Sequence, residues 1–300
     1  MRKILLVDGS NLARRNFHGQ SLCTSGGIKT GAIYGTINSL ISIQGDIRAQ
    51  EVIVAWDPPG SSQWRKDIYP LYKANRDAPD QDYVKQREYA EELLRAMGVC
   101  QVSKPDAEAD DIIGSLAKRN YADCQVYILS GDHDFYALIE DGIHVISPIS
   151  GLVAPNPEGK IYIKNGTKII ELYPHQVADY KCLVGDSSDN IPGAPGFGIG
   201  AAITFFQNND GIDCIFDGTV NLKGIPARAC QGLMNAIPFL AKFKECVTIS
   251  LERGAMDNPV RPEVQAAKVN ALFDYFEFNQ FKVRGERIFD IAGVEKWTYD

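Results

Sequence analysis

Over its first half the chain alternates short segments rich in Ile and Val with longer segments of helical periodicity, and this alternation limits the available folds. The apolar segments cover residues 3–8, 51–57, 125–130 and 142–147, and each ends in turn residues. Such segments predict β-strands. Strands separated by helices favour a mainly parallel sheet with helices on both faces. The predicted fold class is therefore α/β.

Helical spacing of apolar residues is found between these strands, at residues 32–43, 84–97 and 110–118. After Tyr173-Pro174 the strand pattern stops, and we predict helices at 175–184, 200–206, 225–233 and 239–251. We therefore expect two domains, a sheet-containing domain over residues 1–174 and a helical region over residues 175–300.

The composition is that of a globular protein with a sizeable core. The 300 residues are 45% hydrophobic and 23% charged, and no apolar run approaches the roughly 18 residues that suggest a membrane span. Met1-Arg2-Lys3 leads directly into the first predicted strand, so we expect no secretory signal. Seven scattered cysteines without a CxxC pair favour reduced thiols and a cytoplasmic location, and they argue against zinc.

Nine acidic side chains follow the predicted strands or begin predicted helices, at five places along the chain. They are Asp8, Asp57, Glu108, Asp110, Asp111, Asp132, Asp134, Asp186 and Asp189. Ligands of parallel sheets bind beyond the carboxyl ends of the strands, so we expect these carboxylates to converge. Their repulsion would require cations, and oxygen-rich pockets suit Mg²⁺ or Mn²⁺. A pair of such ions suits phosphodiester hydrolysis.

Two of these clusters have a simpler explanation when each is taken alone. Asp8-Gly9 is a common turn pair, and acids in the first turn of a helix, such as Asp110 and Asp111, are favoured by the helix dipole. Their convergence with the other clusters favours the metal site.

Two further clusters, each of two aspartates, have the spacing of a shared cation site. In extended backbone Asp132 and Asp134 would point to one side, and on a helical turn Asp186 and Asp189 would share a face.

The net charge of −7 does not exclude a nucleic-acid partner. Phosphate binding requires positive charge, but the nine clustered acids alone carry more negative charge than the net charge of the whole chain. Metal ions that neutralised them would leave the remaining surface free to carry basic patches.

Two further segments resemble binding elements. Gly193, Gly196, Gly198 and Gly200 precede a predicted helix, which leaves backbone N–H groups free to hold a phosphate; the Gly-Lys-Ser/Thr of a P-loop is absent. Residues 58–82 mix prolines, aromatic residues and bases without a clear period. A long loop beside an active site is typically a lid or binding loop, and a solvated surface loop is the alternative.

Five motifs occur in order along the chain: Val7-Asp8-Gly9, Tyr72-Lys73-Ala74-Asn75-Arg76, Glu108-Ala109-Asp110-Asp111, Gly131-Asp132-His133-Asp134 and Gly185-Asp186-Ser187-Ser188-Asp189-Asn190-Ile191-Pro192-Gly193. Together they resemble the structure-specific 5′ nucleases, which comprise flap endonucleases, bacteriophage 5′–3′ exonucleases and the N-terminal nuclease domain of bacterial DNA polymerase I. Residues 273–281 are similar to the closing segment of the polymerase-linked members. The resemblance implies a resolvase-like (PIN-like) sheet domain, an arch formed by residues 58–85, and a helix-three-turn-helix DNA-binding element near residues 182–206.

The resemblance also implies roles for individual residues. The nine acids match metal ligands. Our hypothesis places one ion with Glu108, Asp110, Asp132 and Asp134 and the other with Asp134, Asp186 and Asp189, so that Asp134 is shared and catalytic, with Asp8 and Asp57 as direct or water-mediated ligands. Lys73 and Arg76 match a basic pair that contacts the scissile phosphate, Lys181 matches a second supporting lysine, and Tyr72 would stack on a base. The four glycines would contact DNA, with K⁺ as a further ion of that element. The family lysine after the hairpin is replaced by Ala201-Ala202, which removes one phosphate contact.

The implied activity is that of a 5′–3′ exonuclease and flap endonuclease in DNA replication, primer removal and repair. Two ions about 3.5–4 Å apart would activate water and stabilise the leaving oxygen, so products would carry a 5′-phosphate and a 3′-hydroxyl. The expected substrates are DNA with 5′ flaps, nicks or free 5′ ends, and RNA–DNA primer junctions. No polymerase segment follows, which we interpret as a phage-type enzyme that works alone or recruits its polymerase non-covalently in the host cytoplasm.

Three other classes of protein share part of this pattern. A PIN-like ribonuclease would have the acids and the sheet but would not need the glycine hairpin or the arch. A metal-free DNA-binding scaffold would be expected to have lost some of the nine acids. A phosphatase with an Asp nucleophile would need a second Asp two residues after Asp8, where Ser10 stands.

Overall fold

A computed structural model describes residues 1–283, so the predicted end of the second domain at residue 300 lies outside the described residues. The strands are β1 (Lys3–Asp8), β2 (Glu51–Ala55), β3 (Cys100–Val102), β4 (Gln125–Leu129), β5 (Ile143–Ser147), β6 (Gly151–Val153), β7 (Ile161–Asn165) and β8 (Lys168–Leu172). The helices are α1 (Gly9–Gly19), α2 (Gly31–Ile47), α3 (Gln63–Ile68), α4 (Gln81–Ala96), α5 (Ala109–Ser115), α6 (Val177–Val184), α7 (Ile199–Asn208), α8 (Asp213–Phe216), α9 (Ala227–Val247), α10 (Ala266–Tyr275) and α11 (Asn279–Val283).

The main sheet has the strand order β3-β2-β1-β4-β5-β6. All neighbouring strands are parallel except β6, which pairs antiparallel with β5. Val7 of β1 lies between Val54 of β2 and Leu129 of β4, so the carboxyl ends of these three strands lie at one edge of the sheet. Strands β7 and β8 form a separate antiparallel hairpin.

Helices cover both faces of the sheet, because alternate residues of each central strand enter different cores. Ile4 and Leu6 of β1 pack in a core with residues of α5, α6, α7 and α9, whereas Leu5 and Val7 pack with residues of α1, α2 and α4. Strands buried on both faces read as continuous apolar runs, which explains why these strands are easy to locate from the amino-acid sequence. The predicted α/β class with a mainly parallel sheet is confirmed.

Several elements differ from the predicted ones. Helix α1 was not predicted; the Asp8 carboxylate caps it by accepting a hydrogen bond from the Asn11 N–H at 3.0 Å. The two helices predicted at 225–233 and 239–251 form the single helix α9, with Pro238 inside it. Leu233 and Leu240, on either side of that proline, are both buried, so tertiary packing maintains the helix where proline alone favours a break.

The last helices return to the N-terminal part of the chain. Phe273, Phe276 and Phe281 are buried in the core that α2 and α4 share, and the Gln265 N–H donates to the Ala96 carbonyl at 2.8 Å. The domain division that we predict at residue 174 lies directly after β8. Because the last helices pack on the first part of the molecule, this division stays a prediction. Within residues 1–283 no helix combines the length and the apolar character needed to span a bilayer.

Candidate active site

A cleft of about 430 Å³ lies at the carboxyl edge of β1, β2 and β4, where α5 begins. Its lining contains five of the nine predicted metal ligands together with basic and amide side chains. The lining residues are Asp8, Ser10, Asn11, Arg14, Asp57, Lys73, Asn75, Arg76, Glu108, Ala109, Asp110, Asp132 and Ser188. The structure therefore brings together acids that are as distant in the sequence as Asp8 and Asp132, as the rule for parallel strands predicts.

Asp8 is held at the end of β1 by two hydrogen bonds. One carboxylate oxygen accepts from the Asn11 N–H, and the other accepts from the Ser130 hydroxyl at 2.9 Å. Burial raises the pKa of Asp8 to about 7, and the neighbouring carboxylates Asp57 and Asp132 act in the same direction. Such a group is ionised at neutral pH only in part unless a cation stabilises its charge.

Asp57 is positioned by the elements on either side of it. Its backbone N–H donates to the Ser10 hydroxyl at 2.9 Å, and its carboxylate accepts from the Ala109 N–H at 2.7 Å. The second bond joins the end of β2 to the first turn of α5, so Asp57 lies beside the acids of that helix.

Glu108 is the N-terminal cap of α5 and contacts two bases. Lys73 Nζ lies at 2.5 Å and Arg65 Nη1 at 2.6 Å from its carboxylate. Burial favours the neutral form, but the two cations outweigh it and lower the pKa of Glu108. In Asp110, by contrast, burial raises the pKa well above its usual range: Arg65 opposes the rise, and the charges of Asp111 and Glu108 add to it.

Asp111 does not line the cleft, unlike its neighbours Glu108 and Asp110. Its fully buried carboxylate binds both terminal nitrogens of Arg65, at 2.8 and 3.0 Å, and accepts from the Ser250 N–H at 2.7 Å. Arg65 also donates to the Cys246 carbonyl. The expected metal ligand is thus engaged in a buried ion pair that connects α3, α5 and the end of α9.

Three acids meet around one lysine at a further group next to the cleft. Lys181 Nζ of α6 contacts Asp134 and lies 2.8 Å from Asp186 and 3.8 Å from Asp132. Burial and Asp132 raise the pKa of Asp134 to about 7, against the effect of Lys181. In Asp186 burial is outweighed by Lys181 and Ser188, which lower its pKa to about 2.

The geometry that we expected for these pairs is wrong in both cases, although the residues do converge. Asp132 caps a 3-10 helix that contains Asp134, and it accepts a hydrogen bond from the Asp134 N–H at 3.0 Å, so this backbone is not extended. Asp186 and Asp189 lie in a tight loop closed by paired backbone bonds between Asp186 and Ile191, each 2.8 Å. They therefore do not share a helical face: Asp186 binds Lys181, whereas Asp189 binds Arg76 at 2.8 Å.

Tyr72 cannot stack on a base in this structure. Its side chain is buried, with 1% of the residue exposed, and its hydroxyl donates to Asp189 at 2.9 Å and lies 3.2 Å from Glu108. Tyr72 therefore positions two acids of the site.

The residues that follow Tyr72 fasten the helical region to the cleft. The Lys73 N–H donates to the Asp189 carbonyl at 3.0 Å, and the Asn75 amide donates to the Ser187 carbonyl at 2.7 Å. Lys73 has a left-handed backbone with φ of 55°, which completes the turn. Lys73 and Arg76 thus lie beside the acids as predicted, at the base of the segment expected to form the arch.

The glycine-rich loop precedes α7, as predicted. Gly193 has a φ of +68°, and a Cβ there would lie 2.4 Å from the Gly185 nitrogen, so a larger residue would displace the loop that carries Asp186 and Asp189. Gly198 and Gly200 face open space, since a Cβ at either position would have no neighbouring atom within 4 Å. Their backbone is accessible beside the first turn of α7.

Four site residues were missed from the sequence. Ser10, Asn11 and Arg14 line the cleft from α1, and recognition of Asp8 as a helix cap would have found Asn11 and Arg14, which follow it at intervals of three residues. The fourth, Arg65, carries no local signal, because its partners are more than 40 residues away.

Divalent ions fit the cleft acids by donor chemistry and charge. Asp8, Asp57, Asp110 and Asp132 offer only oxygen ligands, the kind that hard cations prefer, and the charges of Asp57 and Asp132 contribute to the raised pKa of Asp8. Within residues 1–283, no group of three Asp, Glu, His or Cys side chains has the spacing needed to hold a metal ion. Of the other acids, Glu108 pairs with Lys73 and Asp134 pairs with Lys181.

Two family models match the chain, and together they cover most of it. The 5′–3′ exonuclease N-terminal resolvase-like domain matches residues 3–168, and the 5′–3′ exonuclease C-terminal SAM fold matches residues 172–262. The chain therefore belongs to the 5′–3′ exonuclease family, as the sequence motifs indicated.

Individual relatives agree with this assignment. A thermostable DNA polymerase I of Thermus aquaticus is 36% identical over 88% of this chain, and a 5′–3′ exonuclease of Bacillus subtilis is 29% identical over 84% of it. The chain spans 31% of the length of the Thermus polymerase but 90% of the Bacillus protein.

Solved structures share the fold at low sequence identity. A T5 5′-exonuclease with bound divalent metal ions (zinc) has a TM-score of 0.64 at 20% identity, covering 98% of this chain and all of that one. Flap endonuclease-1 from Methanococcus jannaschii has a TM-score of 0.60 at 15% identity, covering 97% of this chain and 93% of that one.

Proposed function

We propose that this protein is a structure-specific 5′ nuclease, a 5′–3′ exonuclease and flap endonuclease that hydrolyses DNA phosphodiesters with divalent cations. The observation that carries the proposal is the cleft that combines Asp8, Asp57, Glu108, Asp110 and Asp132 with Lys73 and Arg76. Membership of the 5′–3′ exonuclease family supports the proposed 5′-to-3′ direction of cleavage along the strand. Acids alone would repel a phosphate, so the cleft requires cations before a nucleic acid can enter it.

The acids divide into groups with different roles. Asp8, Asp57, Asp110 and Asp132 would hold a first cation, and Asp134, Asp186 and Asp189 would contribute to a second. Mg²⁺ or Mn²⁺ at these positions would supply an activated water and neutralise charge at the scissile phosphate. Asp111 we assign to the support of Arg65, because its carboxylate is already saturated by that guanidinium and by Ser250.

The bases would act on the phosphate. Lys73 and Arg76 line the cleft and offer positive charge where negative charge develops during hydrolysis, an effect that commonly dominates catalysis. The products would then carry a 5′-phosphate and a 3′-hydroxyl.

The loop that follows Asp186 and Asp189 suits the backbone of DNA. The open backbone at Gly198 and Gly200 lies at the start of α7, where N–H groups can hold a phosphate; K⁺ there is part of the proposal. We propose 5′ flaps, nicks, free 5′ ends and RNA–DNA primer junctions as substrates, with a replication polymerase as a non-covalent partner. Seven free cysteines support a cytoplasmic location.

Cleavage mapping on end-labelled 5′-flap, nicked and blunt duplexes with Mg²⁺ tests the proposal. Asp134→Asn should lower the cleavage rate by roughly 100-fold or more, because a carboxylate charge that would hold the second cation is lost, and should leave DNA affinity by fluorescence anisotropy nearly unchanged. The matched control is Asp213→Asn, which neutralises a carboxylate that is 80% exposed on α8 and should leave cleavage unaltered.

Two results would contradict this function. Cleavage by Asp134→Asn at the wild-type rate would remove the residue from the mechanism. Preference for single-stranded RNA over the flapped duplex would favour a PIN-like ribonuclease instead.

A further inference from the structure

Lys181 occupies an unusual place for a basic side chain. Its ammonium contacts Asp134, lies 2.8 Å from Asp186 and 3.8 Å from Asp132, and its side chain is only 11% exposed. Among residues 1–283 it is the one cation within ion-pair distance of any of these three acids. Glu108 and Asp189, by comparison, each contact two bases.

The fold fixes the position from which this lysine reaches the acids. Its neighbours Tyr180, Cys182 and Leu183 are buried in the core. On another side of α6, Asp179 contacts Lys244 at 3.1 Å and accepts from the Ile212 N–H at 2.9 Å. Helix α6 is therefore anchored, and the ammonium can leave the acids only by a change in its own side chain.

A divalent cation and this ammonium cannot both sit among the same three carboxylates without strong repulsion, because the site is largely shielded from water. A cation that binds Asp134 and Asp186 must therefore displace Lys181. The acids Asp8, Asp57 and Asp110 have no such close cation. Within the described part of the chain Asp8 and Asp57 form no ion pair, and Asp110 lies 3.9 Å from Arg65.

We propose that Lys181 is an internal counter-cation that competes with the second divalent ion for Asp134 and Asp186. The two cation sites are then unequal: the site at Asp8, Asp57 and Asp110 binds first, and the site at Lys181 binds weakly in the absence of DNA. A substrate phosphate adds negative charge to the cleft and offsets the repulsion, so the second ion enters together with the substrate. This inference rests on the proposed two-cation function.

The test is a calorimetric titration of the full chain with Mn²⁺ in the absence of DNA. Lys181→Met removes the charge and keeps most of the side-chain volume. We expect the weaker Mn²⁺ site to bind on the order of tenfold tighter or more in this variant, since a close positive charge has been removed. Lys181→Arg keeps the charge and should keep the weak second site.

Lys118→Met is the matched control, because it removes a partly buried lysine that also pairs with an acid, Glu140, but lies outside both α6 and the acid cluster. Its Mn²⁺ affinities should equal those of the wild-type protein. An unchanged second site in Lys181→Met would overturn the inference, as would two equally tight sites in the wild-type protein. A wild-type protein that binds no Mn²⁺ would overturn the proposed function itself.

Thermal unfolding gives a second readout if Lys181→Met is less stable. Without its counter-cation the acid cluster should lower the Tm in EDTA, and Mn²⁺ should raise the Tm by more than it does in the wild-type protein, because tighter binding stabilises the folded state more. Equal increases in Tm for both proteins would also contradict the competition.

Discussion

At the scale of single residues, Arg65 is the side chain whose removal should matter most for folding. It is 1% exposed and binds Asp111, Glu108 and the carbonyls of Cys246 and Thr248. Its positive charge offsets two buried carboxylates, and among residues 1–283 it is the one cation that pairs with Asp111. Arg65 belongs to α3, and its partners belong to the start of α5 and to the end of α9 and the residues just after it. One guanidinium therefore joins three separate parts of the chain.

We predict that Arg65→Met destabilises the metal-free protein by about 3–5 kcal/mol, since it leaves the buried Asp111 carboxylate without a counter-charge. Urea unfolding measures this change. Arg253→Met is the control: Arg253 stacks on the Trp64 ring with its guanidinium carbon 4.5 Å from the ring centre but is exposed, so its loss should cost about 1 kcal/mol or less. Equal losses for the two variants would show that the buried ion pairs are not the cause.

At the scale of elements, the loop between α6 and α7 determines where Asp186 and Asp189 lie. We predict that Gly193→Ala destabilises the protein by about 1–3 kcal/mol, because φ is positive there and the new methyl group would meet backbone atoms. Unfolding in urea measures the loss. At Gly198 in the same loop a methyl group would have space and φ is not positive, so Gly198→Ala should be about as stable as the wild-type protein. A larger loss of stability in Gly198→Ala than in Gly193→Ala would contradict this account.

At the scale of the whole molecule, the acid cluster makes stability depend on pH. The pKa values of Asp8 and Asp134 are about 7 in the folded protein, against about 3.9 in an unfolded chain. Between these values the folded protein binds more protons than the unfolded chain, so its stability decreases as the pH rises. The lowered pKa values of Glu108 and Asp186 act in the opposite sense, but in more acidic solution.

We therefore predict that in EDTA the free energy of unfolding falls between pH 5 and pH 7, by up to about 1.4 kcal/mol per pH unit for each such carboxyl. Urea unfolding at a series of pH values checks this, and Mn²⁺ should remove the loss because it binds the ionised acids. Asp8→Asn should show a smaller slope than the wild-type protein. Stability that increases from pH 5 to pH 7 in EDTA would contradict the prediction.

Much of the fold and the membership of the site could be predicted from local patterns. β1, β2, β4 and β5 were visible because strands buried on both faces are continuously apolar. Helices α2, α4 and α5 were visible from their periodicity. The three-residue strand β3 and helix α1 were not, since β3 is too short for a pattern and α1 depends on its cap.

What the sequence by itself determined is the mainly parallel sheet and the delivery of acids to one edge, because the positions and ends of the central strands follow from local apolar patterns. Only the tertiary structure decided which acid meets which base or hydroxyl: Asp111 with Arg65, Asp189 with Tyr72, and Asp134 with Lys181. Those partners are between 46 and 117 residues apart, and whether a carboxylate faces the cleft or a buried base depends on distances between helices that no local pattern encodes.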